Sequence, residues 1–128
     1  MPDLARGKVE AWIRATAAGY GFMTGEMNYI FCSDERILEV NRQFLQHDYY
    51  TDIITFDYST RSSVSGDIYI SLDTVRTNAA QFGTTYGREL HRVIIHGLLH
   101  LTGQQDKTPE TEAEMHRKED FALRAFDI

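Results

Sequence analysis

The sequence predicts an α+β fold, a small mixed β-sheet with packed helices, one of them a central buried helix. Three observations carry this expectation. Short runs rich in aromatic and β-branched residues occur at Asn28–Cys32, Ile53–Phe56 and Gly66–Ile70 and read as strands. Helical patterns lie before, between and after them, in the order α-β-α-β-β-α-α-α. Between Val93 and Leu101 the only polar side chains are His96 and His100. A helix apolar almost all the way round is buried rather than amphipathic.

Taken in order, residues 4 to 18 place Leu4, Val9, Trp12, Ile13 and Ala17 on one helical face, and Gly19, Gly21 and Gly25 break the pattern. After the strand NYIFC, Ser33 is placed to cap a helix, with Asp34 and Glu35 in its first turn, where the helix dipole favours negative charge. That helix carries Ile37, Leu38, Asn41, Phe44 and Leu45 and ends near Gln46. His47 to Asp52 form a polar turn into the buried strand IITF, and Ser59 to Ser65 read as a loop by composition. GDIYI is the next strand, and Ser71 caps a helix that runs through Gln81. The central helix starts after Gly83, capped by Thr84 or Thr85, and stops at Gly103, since glycine accepts the left-handed conformation there. Thr108-Pro109-Glu110 supplies a cap, a proline at the first position and an acid in the first turn. The last helix carries Ala113, His116, Phe121 and Leu123 among many charges.

At 128 residues, 42% hydrophobic and 25% charged, the chain reads as one ordinary globular domain spanning residues 1–128. No apolar run is long enough to span a membrane, and the N-terminus lacks the apolar core of a signal peptide. The single cysteine, Cys32, sits in an apolar strand-like run and reads as a buried structural thiol. These features point to the cytoplasm. A net charge of −6 excludes a broad basic surface, so nucleic-acid contact needs a local basic patch or a partner protein.

The chemistry concentrates at residues 96 to 106. His96 and His100, four apart, share a helical face at about 6 Å between Cβ atoms, a spacing that suits a common metal ion. A turn at Gly103 lets Asp106 fold back toward the same ion. Two imidazoles, a carboxylate and an open position describe a catalytic zinc site. His116 is the rival for the third ligand, whereas His91, five residues before His96, faces elsewhere and reads as structural. The pattern HxxxHxxGxxD is close to the metzincin motif, but those proteases place a Glu directly after the first histidine. Here that position is Gly97, which cannot shuttle a proton, and this argues against peptide hydrolysis by that route.

HGLLHLTG, NRQFLQHDYYTDIITFDYS and SGDIYIS, in this order and spacing, together resemble the YbeY family of bacterial rRNA maturation factors, with its motif HGxLHLxGxDH, a TDVLSF-type strand and a GDI strand. The resemblance implies an α+β fold, one zinc per chain and single-strand-specific endoribonuclease activity in maturing the 3′ end of small-subunit rRNA, with a role in ribosome quality control. Its implied partners are rRNA, the small ribosomal subunit and a ribosomal or assembly-factor protein. Two departures stand out. Gln105 and Asp106 replace the family's usual Asp-His, so the third ligand becomes a carboxylate, and Leu45 follows Phe44 where the family usually has arginine. Arg42, three residues before Leu45 on the same helical face, is a candidate to reach the cleft, though a solvated surface role suits it equally. Asp67 is a candidate to orient a metal-bound water or a ligating histidine, or else a turn residue satisfying backbone donors. His47 and Asp48 fall near a strand end that could face the cleft, and Arg61 could contact phosphate. The expected site is therefore His96, His100 and Asp106 on the metal, with Asp67 and Arg42 in catalysis. Competing readings are a ribosome-assembly binding factor whose metal is structural, and a metal-dependent hydrolase of another bond.

Overall fold

The computed structural model describes residues 5–45 and 53–126. Its elements are α1 (Arg6–Gly19), β1 (Met23–Cys32), α2 (Asp34–Val40), a π-helical turn (Asn41–Leu45), β2 (Ile53–Asp57), β3 (Ser63–Ser71), α3 (Leu72–Gln81), α4 (Tyr86–Leu101) and α5 (Pro109–Ala125). The strands form one mixed sheet in the order β1-β3-β2. β1 runs parallel to β3, with Tyr29 opposite Ile68, and β2 runs antiparallel to it, with Ile54 opposite Tyr69. This is the α+β architecture and element order that the sequence patterns predict.

Alternation along β3 turns Val64, Gly66, Ile68 and Ile70 to one face, where all four are buried. Helix α4 lies on that face. It comes so close at Gly97 that an added Cβ would sit 3.0 Å from Ile53 Cδ1 and 3.1 Å from Ile68 Cγ2. The opposite face is covered more thinly, by Ile37 and Val40 of α2 against Ile54. α1 buries Val9, Trp12, Ile13 and Ala17, and Trp12 Nε1 donates to the Ala122 carbonyl of α5 at 2.8 Å. Ser33, Ser71, Thr85 and Thr108 each accept a backbone N–H in the first turn of the helix they precede, so the central helix takes Thr85 as its cap.

The elements differ from the sequence expectations in four places. β1 starts at Met23 and β3 at Ser63, because Met23 and Thr24 pair with Ser63 and Val64 ahead of a register shift that absorbs Gly25. Neighbouring strands thus recruit glycine and serine that have weak strand preference of their own. α2 ends at Val40 and continues as the π-helical turn. In α5 only Leu123 of the four residues expected to mark the helix is buried. The packed face is Met115, Glu119, Ala122 and Leu123, while Ala113, His116 and Phe121 are exposed. Cys32 is half-buried, with its Sγ 3.6 Å from the Ile70 carbonyl. Leu4, Gln46 and the turn from His47 to Asp52 lie outside the described residues. No helix among the described residues is long and apolar enough to cross a membrane.

Candidate metal centre

The centre is built at the C-terminal end of α4. Leu90, Val93–Ile95, Gly97–Leu99 and Leu101 are buried, which fixes the rotation of the helix and leaves His96 and His100 half-buried side by side at one edge. Their ring centroids are 4.5 Å apart and nearly perpendicular. Past Thr102 the chain reverses at Gly103, whose φ of +96° is one that glycine adopts without a Cβ clash. Gly103 N–H donates to the His100 carbonyl at 3.0 Å and Gln104 N–H to the Leu99 carbonyl at 3.1 Å, the two bonds of a Schellman motif. This reversal carries Asp106 back over the last turn. Its Oδ2 lies 3.5 Å from His96 Nε2 and 3.5 Å from His100 Nε2.

These two separations are compatible with a tetrahedral metal site. Ligand atoms about 2.0–2.2 Å from a tetrahedral ion stand roughly 3.3–3.5 Å from one another. One ligand atom from each of His96, His100 and Asp106 falls within 4.8 Å of the other two, and all three side chains are half-buried, so a fourth position can open to solvent. The donor set of two imidazoles and a carboxylate suits zinc among the transition metals.

Behind the triangle stands Glu119. His96 Nδ1 lies 2.6 Å from Glu119 Oε2, and Glu119 Oε1 accepts from Arg92 Nη1 at 2.8 Å. Arg92 Nη2 continues to Asp120 Oδ1 at 2.8 Å. Burial alone would raise the Glu119 pKa, but the hydrogen bonds and charges of His96 and Arg92 outweigh it and hold the carboxyl below its ordinary value. An ionised carboxylate only accepts, so His96 Nδ1 carries a proton, and in the neutral ring Nε2 is the nitrogen that keeps its lone pair. Burial, reinforced by the neighbouring His96, lowers the His100 pKa against the opposing pull of Asp106 and a hydrogen bond to the Gln104 backbone. That favours the neutral imidazole a metal requires.

Of the described residues singled out in the sequence, His96, His100 and Asp106 come together and the others do not join them. His116 is exposed, 3.8 Å from Glu112 and 3.4 Å from Glu119 Oε1, on the far side of that carboxylate from His96. His91 packs its ring against Trp12 and Phe126 and donates to the Gly87 carbonyl at 2.6 Å, in keeping with a structural part. Asp67 stands apart from this cluster. It alternates with Gly66 and Ile68 and so lies on the sheet face away from α4, accepting from Asn28 Nδ2 at 3.0 Å. The carboxylate that contacts a histidine at the back of the cluster is Glu119, through His96 Nδ1. Arg42 is exposed in the π-helical turn and Arg61 is exposed after β2, while His47 and Asp48 lie outside the described residues. Glu119 escaped the sequence reading because it stands among many acids. The available signal was its spacing, four after Met115 and three and four before Ala122 and Leu123, which puts one acid on the packed face.

A family model described as Endoribonuclease YbeY matches residues 3–127. A protein named Endoribonuclease YbeY from Bacteroides thetaiotaomicron is 61% identical over 123 residues, covering 96% of this chain and 90% of its own. Its namesake from Phocaeicola vulgatus is 60% identical over 128 residues, covering all of this chain and 93% of its own. Among solved structures, the solution structure of TM1509 from Thermotoga maritima superposes with a TM-score of 0.66 at 24% identity, covering 98% of this chain and 85% of that one, which speaks to the fold.

Proposed function

The chain belongs to the endoribonuclease YbeY family, and from that premise we propose that it is a zinc-dependent endoribonuclease cutting single-stranded RNA. Its substrate on this reading is the 3′ end of small-subunit rRNA, met in the cytoplasm on the ribosomal particle with a ribosomal or assembly-factor protein, and its role includes ribosome quality control. The observation that carries the reading is the convergence of His96, His100 and Asp106, with Asp106 Oδ2 3.5 Å from the Nε2 of each histidine. Zinc held there supplies Lewis acidity toward a phosphate oxygen and lowers the pKa of water to about 7.

The protein's own residues set how that chemistry is used. Glu119 keeps the His96 proton on Nδ1 and away from the ligand atom. Asp106 adds a negative charge on the solvent side of the two imidazoles. Gly97 faces Ile53 and Ile68, so the position that holds a base in zinc peptidases is packed into the sheet. Exposed Arg42 is the candidate contact for the RNA backbone.

A second reading, a ribosome-assembly binding factor with a structural metal, draws support from the net charge of −6 and from Leu45 at the position of the family's arginine. The two readings separate in one assay, in which purified protein is given single-stranded and duplex rRNA oligonucleotides, with and without chelator, beside His96→Ala. The nuclease reading expects cleavage of the single strand alone, abolished by chelator and by the substitution. RNA binding without cleavage by the zinc-loaded protein supports the binding factor.

A further inference from the structure

Arg92 and His96 stand one turn apart on α4 and grip the two oxygens of a single carboxylate from α5. Resting on the metal-centre reading above, we propose that Glu119, held by Arg92, is a positioning residue. It fixes His96 with Nε2 toward the ion and makes the docking of α5 onto α4 a condition of metal affinity.

The contacts divide the carboxylate cleanly. His96 Nδ1 takes Oε2 at 2.6 Å and Arg92 Nη1 takes Oε1 at 2.8 Å, both short bonds to an ionised acceptor. Glu119 is 2% exposed, and a carboxylate so buried persists only where its oxygens are paired. Arg92 is itself anchored by Asp120 at 2.8 Å, so its fork spans two consecutive acids of α5. The ring of His96 is thereby held at its rear nitrogen, which fixes both its tautomer and its rotation. His100 leans instead on the Gln104 backbone, so the two imidazoles are held by different partners.

Replacing Glu119 by Gln keeps the size but cannot keep both bonds. The amide has one oxygen, and its NH₂ must face either Arg92 or His96, donor against donor. Loss of a carboxylate behind a ligating histidine costs about 10–100-fold in metal affinity.

The test titrates zinc against a competing chromophoric chelator for wild type, Glu119→Gln, Glu119→Asp and, as a surface control, Glu112→Gln. It also reads the His96 tautomer by nitrogen NMR in metal-free protein at a pH where the ring is neutral. The expected result is a proton on Nδ1 in wild type and in the Glu112→Gln control. Glu119→Gln should show a mixed tautomer and zinc bound about 10–100-fold more weakly, with Glu119→Asp between the two. A folded Glu119→Gln protein with wild-type affinity and tautomer overturns the proposal. Should Glu119→Gln fail to fold, Glu119→Asp decides, since its carboxylate is drawn back by one methylene, and wild-type values there overturn the proposal equally. Wild type that binds no zinc sinks the metal-centre reading and the affinity claim with it, while the tautomer comparison still decides whether Glu119 positions His96.

Discussion

At position 106 a carboxylate completes the candidate ligand triangle where the family motif usually carries an imidazole, and the difference changes the charge of the site. A divalent ion with two neutral imidazoles and one aspartate has a net charge of about +1 instead of +2 and acidifies water less. Asp106→Ala should lower zinc affinity by more than about 100-fold, beyond what loss of an outer partner costs. Asp106→His should retain it, and His116→Ala should change it little; elemental analysis of the purified variants checks all three. Normal metal content in Asp106→Ala beside loss in His116→Ala would reverse the assignment. Cys32 makes a separate prediction. Burial pushes its thiol up, Arg36 opposes, and Asp34 and Asp73 reinforce the rise. The folded state therefore disfavours the thiolate more than the unfolded chain does, so Cys32 should react with iodoacetamide several-fold more slowly at pH 7.5 in folded protein than in denaturant. The three candidate ligands were legible in the sequence because one helix and one turn, eleven residues from His96 to Asp106, bring them together. Glu119 was not, because its role depends on how a second helix docks.

Helix α4 presents the histidines correctly only because its opposite side fits the sheet. Gly97 is the point of closest approach, and Gly97→Val would drive a branched side chain into Ile53 and Ile68, at 3.0 and 3.1 Å from Cβ. Overpacking of this kind costs about 1–3 kcal/mol. Denaturant midpoints should fall accordingly, and zinc affinity with them, since displacing α4 moves both histidines relative to Asp106. Equal stability of Gly97→Val and wild type would mean that the helix does not bear on the sheet as described. The turn at Gly103 is the other fixed point. Gly103→Ala places a Cβ at a φ of +96°, a strain of about 1–2 kcal/mol, in the segment that aims Asp106. Element by element, the sequence was most readable where caps are local, as at Ser33, Ser71 and Thr108. It was least readable at Ser63–Ser65 and Met23–Gly25, where strand structure comes from a partner about forty residues away.

At the scale of the whole molecule, charge decides how the protein can meet RNA. Composition alone gives the excess of 19 acidic over 13 basic residues, but it could not show where the bases are spent. Arg92 is held by Glu119 and Asp120, Arg36 by Glu39, Arg76 by Asp73 and Arg6 by Glu10. Affinity for a phosphate backbone comes largely from cations that displace condensed counterions, and for single strands the salt slope is about −0.7 per phosphate neutralised. With a net charge of −6 and the Arg92 fork committed to Glu119 and Asp120, the surface should neutralise few phosphates and show a shallow salt slope. Naked single-stranded RNA is therefore expected to bind weakly, whereas small ribosomal subunits, whose proteins can supply the missing contacts, should bind more tightly and be cut faster. Titration of labelled RNA at several salt concentrations, run beside binding to purified subunits, measures both quantities. Tight, salt-insensitive binding to naked RNA would contradict this expectation, as would full cleavage activity with no ribosomal component present.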